Sequence, residues 1–188
     1  MTEQELREIV VATGKRMLAD GLVQGTWGNI SIRLDEHRMI VTPSGRDYER
    51  LTADELVIVD IDTLEYDSPI KPTSEKKIHA AIYRDRPDIG AVIHSHPWNG
   101  CAVASTRREM PITTPEAREL IGETARTGKY GLPGTKKLTK GTVEAMKDRN
   151  ACFMANHGIL CAGKDMETAF ATCAALEREA GIYLGVED

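Results

Sequence analysis

Two spacings of apolar residues divide this 188-residue chain into elements. Leu6, Ile9, Val10, Met17 and Leu18 recur at helical intervals, which predicts an amphipathic helix over 3–20 that Gly21 stops. Residues 23–27 read as a loop. A period of two then takes over: 29–34 and 39–42 alternate as strands, 35–38 is a charged turn, and together they predict a hairpin that Pro43-Ser44-Gly45 breaks. A β-branched run over 56–61 predicts another strand. Thr73-Ser74 can cap a helix that runs to about 84, with Ile78, Ala81 and Ile82 on its apolar side.

The second half repeats these signals. Residues 90–94 form an apolar strand, 116–125 a short helix, 130–134 a glycine- and proline-rich loop and 135–147 a helix. Apolar runs over 151–155 and 158–162 flank Asn156-His157-Gly158, whose turn chemistry predicts a tight hairpin. Asp165 caps a last helix to 184, where Ala169, Ala171, Ala174 and Ala175 suit close packing. The chain contains no repeat, low-complexity stretch or linker. Helices interspersed with mostly antiparallel strands therefore predict a single α/β domain over 1–188, with helices laid on a sheet.

Composition narrows the function classes. Hydrophobic residues make up 41% and charged residues 28%, ordinary for a water-soluble globular protein. A net charge of −5 argues against a nucleic-acid or anionic-membrane partner, so an anionic substrate must be held by a local site. No apolar run reaches the length of a membrane span. The acidic N-terminus lacks a signal-peptide core. Four scattered cysteines without a Cys-x-x-Cys pattern suit reduced thiols and a cytoplasmic location.

The strand at 90–94 runs into His94-Ser95-His96-Pro97. Residues two apart on a strand project to one face, so His94 and His96 offer two imidazoles side by side to a zinc-type cation. His157, in a polar turn between buried strands, can reach a neighbouring strand's end and act as the third ligand. Three imidazoles with an open position make a catalytic rather than a structural metal site. His37 sits in a charged turn and reads as solvated. His79 lies four residues after Glu75, on the same helix face; it could be a ligand, and fixing its neighbours is the preferred role. Glu75 is the candidate acid/base. Gly28-Asn29, Ser44-Gly45 and Thr73-Ser74 offer backbone N–H groups with hydroxyl or amide donors, the means by which anions are held without extra lysine or arginine. Taken singly, each is an ordinary turn or cap.

The order Gly-Asn, Thr-Pro-Ser-Gly, Thr-Ser-Glu, His-Ser-His-Pro, Asn-His-Gly closely resembles the class II aldolase/adducin family over nearly the whole chain. The resemblance implies a three-layer α/β/α sandwich around a central, mainly antiparallel sheet, and a cyclic homotetramer with sites between subunits. It implies a zinc site, with manganese or cobalt as alternatives, made by His94, His96 and His157. Glu75 would serve as catalytic acid/base and touch the metal when substrate is absent. Gly28, Asn29, Ser44, Gly45, Thr73 and Ser74 would hold the phosphate. The implied reaction is lyase chemistry: cleavage of a ketose 1-phosphate, such as L-fuculose 1-phosphate, through a metal-stabilised enediolate to dihydroxyacetone phosphate and a small aldehyde. A methylthioribulose-1-phosphate dehydratase and a sugar-acid phosphate decarboxylase share the same residues and are the enzymatic alternatives. A non-catalytic, adducin-like scaffold is the alternative of another class; the complete histidine triad argues against it.

Overall fold

The structure, a computed structural model, describes residues 1–186. Helix α1 (Glu3–Ala19) starts at a capping box: Thr2 accepts the Glu5 N–H, and the Glu5 carboxylate accepts the Thr2 N–H. Its buried residues, Leu6, Val10, Thr13, Gly14 and Met17, fall on one stripe. Strands β1 (Asn29–Arg33) and β2 (Arg38–Val41) form the expected hairpin, and β3 (Val57–Asp60) follows. Helix α2 (Lys76–Asp85) leads to β4 (Ala91–Ser95), then to α3 (Trp98–Thr106). Next come β5 (Met110–Pro111), α4 (Pro115–Ile121), β6 (Thr124–Gly128) and α5 (Lys136–Met146). Strands β7 (Ala151–Met154) and β8 (Gly158–Gly163) precede α6 (Met166–Leu184), which Asp165 caps by accepting the Thr168 N–H at 2.7 Å.

The strands form one eight-stranded sheet in the order β3-β2-β1-β4-β8-β7-β6-β5. Every neighbouring pair is antiparallel except β6–β7. Helices α1, α3, α4 and α6 pack their apolar side chains on one face, and α2 and α5 on the other, so the fold is the expected α/β/α sandwich. Alternation sorts the sheet residues between the two cores: Phe153 and Ile159 enter the first, Met154 and Leu160 the second. Each such fully buried side chain contributes about 1.5–3 kcal/mol.

Two local expectations are corrected. The helix expected over 116–125 ends at Ile121, because Gly122 adopts φ 106°, and Thr124 and Ala125 belong to a strand. That strand, Thr-Ala-Arg-Thr-Gly, lacks an apolar rhythm; its parallel pairing with β7 makes it one. The helix expected to be capped by Thr73-Ser74 begins at Lys76, with Glu75 itself at the N-cap position. The Thr73 hydroxyl instead accepts the Glu75 N–H in a local turn at 3.3 Å.

For the site, the decisive feature is the side of the sheet that each polar residue takes. On β1, Ile30 and Ile32 enter the larger core while Asn29 and Ser31 turn toward α2. On β4, Ala91 and Ile93 enter that same core, and Val92 and His94 face α2. Asn29 stands directly opposite His94 in the β1–β4 register.

Candidate functional site

His94, His96 and His157 converge, each offering one ligand atom within 4.8 Å of the others. His94 and His96 reach the same side from the end of β4. His157 arrives from the β7–β8 turn, where Asn156 takes φ 55° and the His157 N–H donates to the Met154 carbonyl at 2.9 Å. Ring centroids lie 4.6 Å apart for His94–His96, 4.8 Å for His94–His157 and 5.1 Å for His96–His157. Glycine makes this approach possible. A Cβ at Gly158 would lie 2.4 Å from His96 Cδ2 and 2.5 Å from the Ser95 carbonyl oxygen. A Cβ at Gly28, which has φ 94°, would lie 2.6 Å from the His94 carbonyl oxygen.

Protons and lone pairs in this cluster suit a cation. His94 Nδ1 donates to the Ile159 carbonyl at 2.8 Å, which leaves the lone pair on Nε2. That atom faces His96 Nε2 at 2.9 Å and Glu75 Oε2 at 3.1 Å. Burial pushes the His96 imidazole down to about 3, with His94 and His157 adding to the shift; burial and His94 also lower His157. Both rings are therefore neutral near pH 7, the form that binds metal. Burial pushes the Glu75 carboxyl up, but His94, the Asn29 amide and His157 together outweigh it, so Glu75 lies below the ordinary carboxylate range. Among the described residues, the buried Glu75 Oε1 and His157 Nδ1 have no hydrogen-bond partner. Facing nitrogens, one with its lone pair turned inward, and an ionised carboxylate with a spare oxygen fit a divalent cation of the zinc type.

Glu75 is 5% exposed, and its Oε1 lies 3.6 Å from His157 Nε2. The Asn29 amide donates to its Oε2 at 2.9 Å. His79 stays outside the metal cluster, as expected, and sits fully buried between Asn29 and Ser31. His37 pairs with Asp62 at the surface and is not among the clustered histidines.

The three segments proposed for anion binding meet beside Glu75. Thr42 ties them together: its hydroxyl accepts the Ile30 N–H, and its carbonyl accepts the Thr73 N–H. Ser44 N–H donates to the Lys71 carbonyl across a short bridge between Pro43 and Pro72. Three donors expected for the anion are thus engaged elsewhere. The Asn29 side chain is committed to Glu75 and His79, the Ser44 N–H to Lys71 and the Thr73 N–H to Thr42. The Ser44 and Ser74 hydroxyls and Gly45 remain exposed at this edge, and Gly28 is half-buried beside them.

Sequence reasoning missed the opposite side of the triad. Gln24, Trp27, His96, Trp98, Cys101, Asn156 and His157 line a cleft of about 450 Å³. The Trp27 ring stands edge-on to His96 at 6.0 Å. Trp98, placed directly after His96-Pro97, was the available signal, since an exposed tryptophan beside metal ligands has no core to serve. Ser31 and Tyr83, behind His79, were also missed; in the alternating strand Asn-Ile-Ser-Ile-Arg a serine reads as solvent-facing, so no local signal marked them.

Among the described residues, no helix is long and apolar enough to cross a membrane. The sequence profile for the class II aldolase and adducin N-terminal domain matches residues 8–184. A 5-deoxy-D-ribulose 1-phosphate aldolase of Bacillus thuringiensis serovar kurstaki is 35% identical over 97% of this chain and 86% of its own length. An L-fuculose phosphate aldolase of Escherichia coli strain K12 is 31% identical over 98% of this chain and 85% of its own. A solved L-fuculose 1-phosphate aldolase superposes with a TM-score of 0.91 at 30% identity, covering 96% of this chain and 85% of that one. With the sandwich, the histidine cluster and these lyase relatives in agreement, the chain belongs to the class II aldolase and adducin family and is one of its lyases.

Proposed function

We propose that the chain, acting as one domain, is a metal-dependent aldolase that cleaves a ketose 1-phosphate to dihydroxyacetone phosphate and a small aldehyde. Its substrates would be of the L-fuculose 1-phosphate or 5-deoxyribulose 1-phosphate kind. The observation that carries this reading is Glu75 Oε1, a buried carboxylate oxygen without a partner, set between three imidazoles and an edge of exposed hydroxyls. A divalent cation held by His94, His96 and His157, with Glu75 beside it, would supply Lewis-acid stabilisation of the charge that develops on the substrate's oxygens. Zinc suits the nitrogen-rich ligand set, with manganese and cobalt as alternatives.

The chain's own residues do the rest. The Ser44, Ser74 and Thr73 hydroxyls, with the backbone at Gly28, Asn29 and Gly45, would hold the phosphate without a lysine or arginine. Breaking the C3–C4 bond leaves its electron pair on the three-carbon fragment. The C4 hydroxyl loses its proton to water as the aldehyde forms, and Glu75, ionised at rest, takes up one proton from water and delivers it to C3, so atoms and charge balance. The cleft between Trp27 and Trp98 suits the departing aldehyde and a short apolar tail on it. Their 60% and 75% exposures also support burial by a second subunit, consistent with a homotetramer that has sites at its interfaces, and light scattering of the purified protein tests this.

The test of the reaction is incubation of metal-loaded protein with a set of ketose 1-phosphates, with dihydroxyacetone phosphate measured by a coupled assay and all products weighed. Release of that triose phosphate is the expected result. Loss of water or of carbon dioxide instead would assign the dehydratase or the decarboxylase alternative, and no turnover of any member would reject the reading.

A further inference from the structure

A line of buried polar groups runs inward from Glu75 between β1 and α2, and its inner members touch neither the metal site nor the cleft. Each link has a fixed direction. An ionised carboxylate only accepts hydrogen bonds, so Asn29 must turn Nδ2 toward Glu75 Oε2, at 2.9 Å. Its Oδ1 then faces His79 Nε2 at 2.5 Å and needs a proton from it. His79 is fully buried, and burial holds its imidazole neutral, down at about 3. With its single proton on Nε2, the ring presents a bare Nδ1, which accepts the Ser31 hydroxyl at 2.7 Å. The Ser31 oxygen in turn accepts the Tyr83 hydroxyl at 2.9 Å, and Tyr83, raised by its own burial, keeps that proton.

All four hydrogen bonds therefore point the same way, from Tyr83 to Glu75. An asparagine bonded at both ends of its amide cannot turn over, and an imidazole bonded at both nitrogens cannot flip. Such buried groups are costly unless fully bonded, and an apolar residue would fill the space under a sheet equally well. Their retention here has a local consequence at Glu75: one oxygen is always anchored and the other always free.

We propose that His79 is a positioning residue for proton transfer. Fixed as the Nε2–H tautomer by the Asn29 oxygen, with its Nδ1 tethered by Ser31 and Tyr83, it locks the Asn29 amide and, through it, the Glu75 carboxylate, so that Oε1 alone exchanges protons with substrate. The kinetic part of this proposal rests on the ketose-phosphate reading above; the tautomer does not.

The experiment has two arms on the full-length, metal-loaded protein. In the first, ¹⁵N-histidine-labelled protein is read by NMR. The expected signature is a slowly exchanging Nε2–H with an unprotonated Nδ1 at His79, lost or mixed in Ser31→Ala. A wild-type His79 protonated at Nδ1 overturns the proposal whatever the activity. In the second, dihydroxyacetone phosphate is incubated in deuterium oxide and exchange at C3 is followed. His79→Leu should slow exchange about 10–100-fold, the range for groups that orient those at a metal centre, with metal content and KM unchanged. His79→Gln, whose amide N–H can reach Asn29 Oδ1, should restore most of the rate. Undiminished exchange in folded, metal-loaded His79→Leu overturns the proposal. Ser31→Ala, a smaller deletion expected to slow exchange several-fold, decides the point if His79→Leu does not fold. A wild-type protein that exchanges no deuterium counts against the aldolase reading, while the NMR arm still decides the tautomer.

Discussion

Strand β1 has two sides that differ in kind. Ile30 and Ile32 pack among the side chains of the larger core, and neither makes a side-chain hydrogen bond. Asn29 and Ser31, their immediate neighbours, are equally buried but polar, and they hold Glu75 and His79. The two sides share one backbone and one register. What separates them is the pleat, which sends alternate residues to opposite faces. A protein can thus place a demanding polar network against a sheet without weakening the apolar core behind it. The network side should answer to mutation in turnover, and the scaffold side in stability alone.

The largest effect is expected from removing a ligand. His157→Ala should lose stoichiometric metal and more than about 10²-fold of activity, exceeding the loss expected for the groups that merely orient ligands. Elemental analysis with the aldolase assay checks this, and full metal content in the variant would break the assignment of His157. Next is Glu75→Gln, expected to keep fold and metal yet lose about 10²–10⁴-fold in turnover. A variant that fails to fold would move Glu75 to the scaffold side of the comparison.

Ile30→Ala tests that scaffold side. It should cost about 2–5 kcal/mol in denaturant unfolding and leave metal stoichiometry and KM unchanged. Gly158→Ala straddles both sides. Its methyl would press on His96 and on the Ser95 carbonyl, so about 1–3 kcal/mol of stability should go together with weaker metal binding. A last effect, one without a mutation, is that of pH. His79, His96 and His157 are all held below the ordinary imidazole value of about 6.5, two of them down at about 3. The unfolded chain therefore takes up more protons than the folded one below pH 6.5. Metal-free protein should lose stability as pH falls from about 6.5 toward 3, and these groups should add little dependence above that window. Urea midpoints at pH 7.5 and 5.5 measure it.

Much of this was readable beforehand, for identifiable reasons. His94 and His96 could be paired because their spacing and the apolar run before them are local properties of a strand. His157 could be added because Asn and Gly beside it mark a turn. Strand β6 could not be read, since Thr124–Gly128 becomes a strand only through its partner β7. The start of α2 was misplaced because a threonine and a serine before a helix resemble a cap, whereas the pairing of Thr73 with Thr42 pulls that segment into the sheet's edge. Asn29 was read as a donor to an anion; its commitment to Glu75 and His79 depends on residues 46 and 50 positions away.

The sequence by itself determined most helices and strands and the kinds of ligand, because periodicity, turn residues and donor chemistry act over a few neighbouring residues; the layer plan came from the family resemblance, and the helix at Trp98–Thr106 was not read. Only the tertiary structure decided which oxygen of Glu75 is left free, which donors stay open to an anion, and that two tryptophans frame a cleft beside the histidines. Those outcomes depend on the direction of individual hydrogen bonds and on the approach of segments far apart in the chain, and neither leaves a local pattern to read.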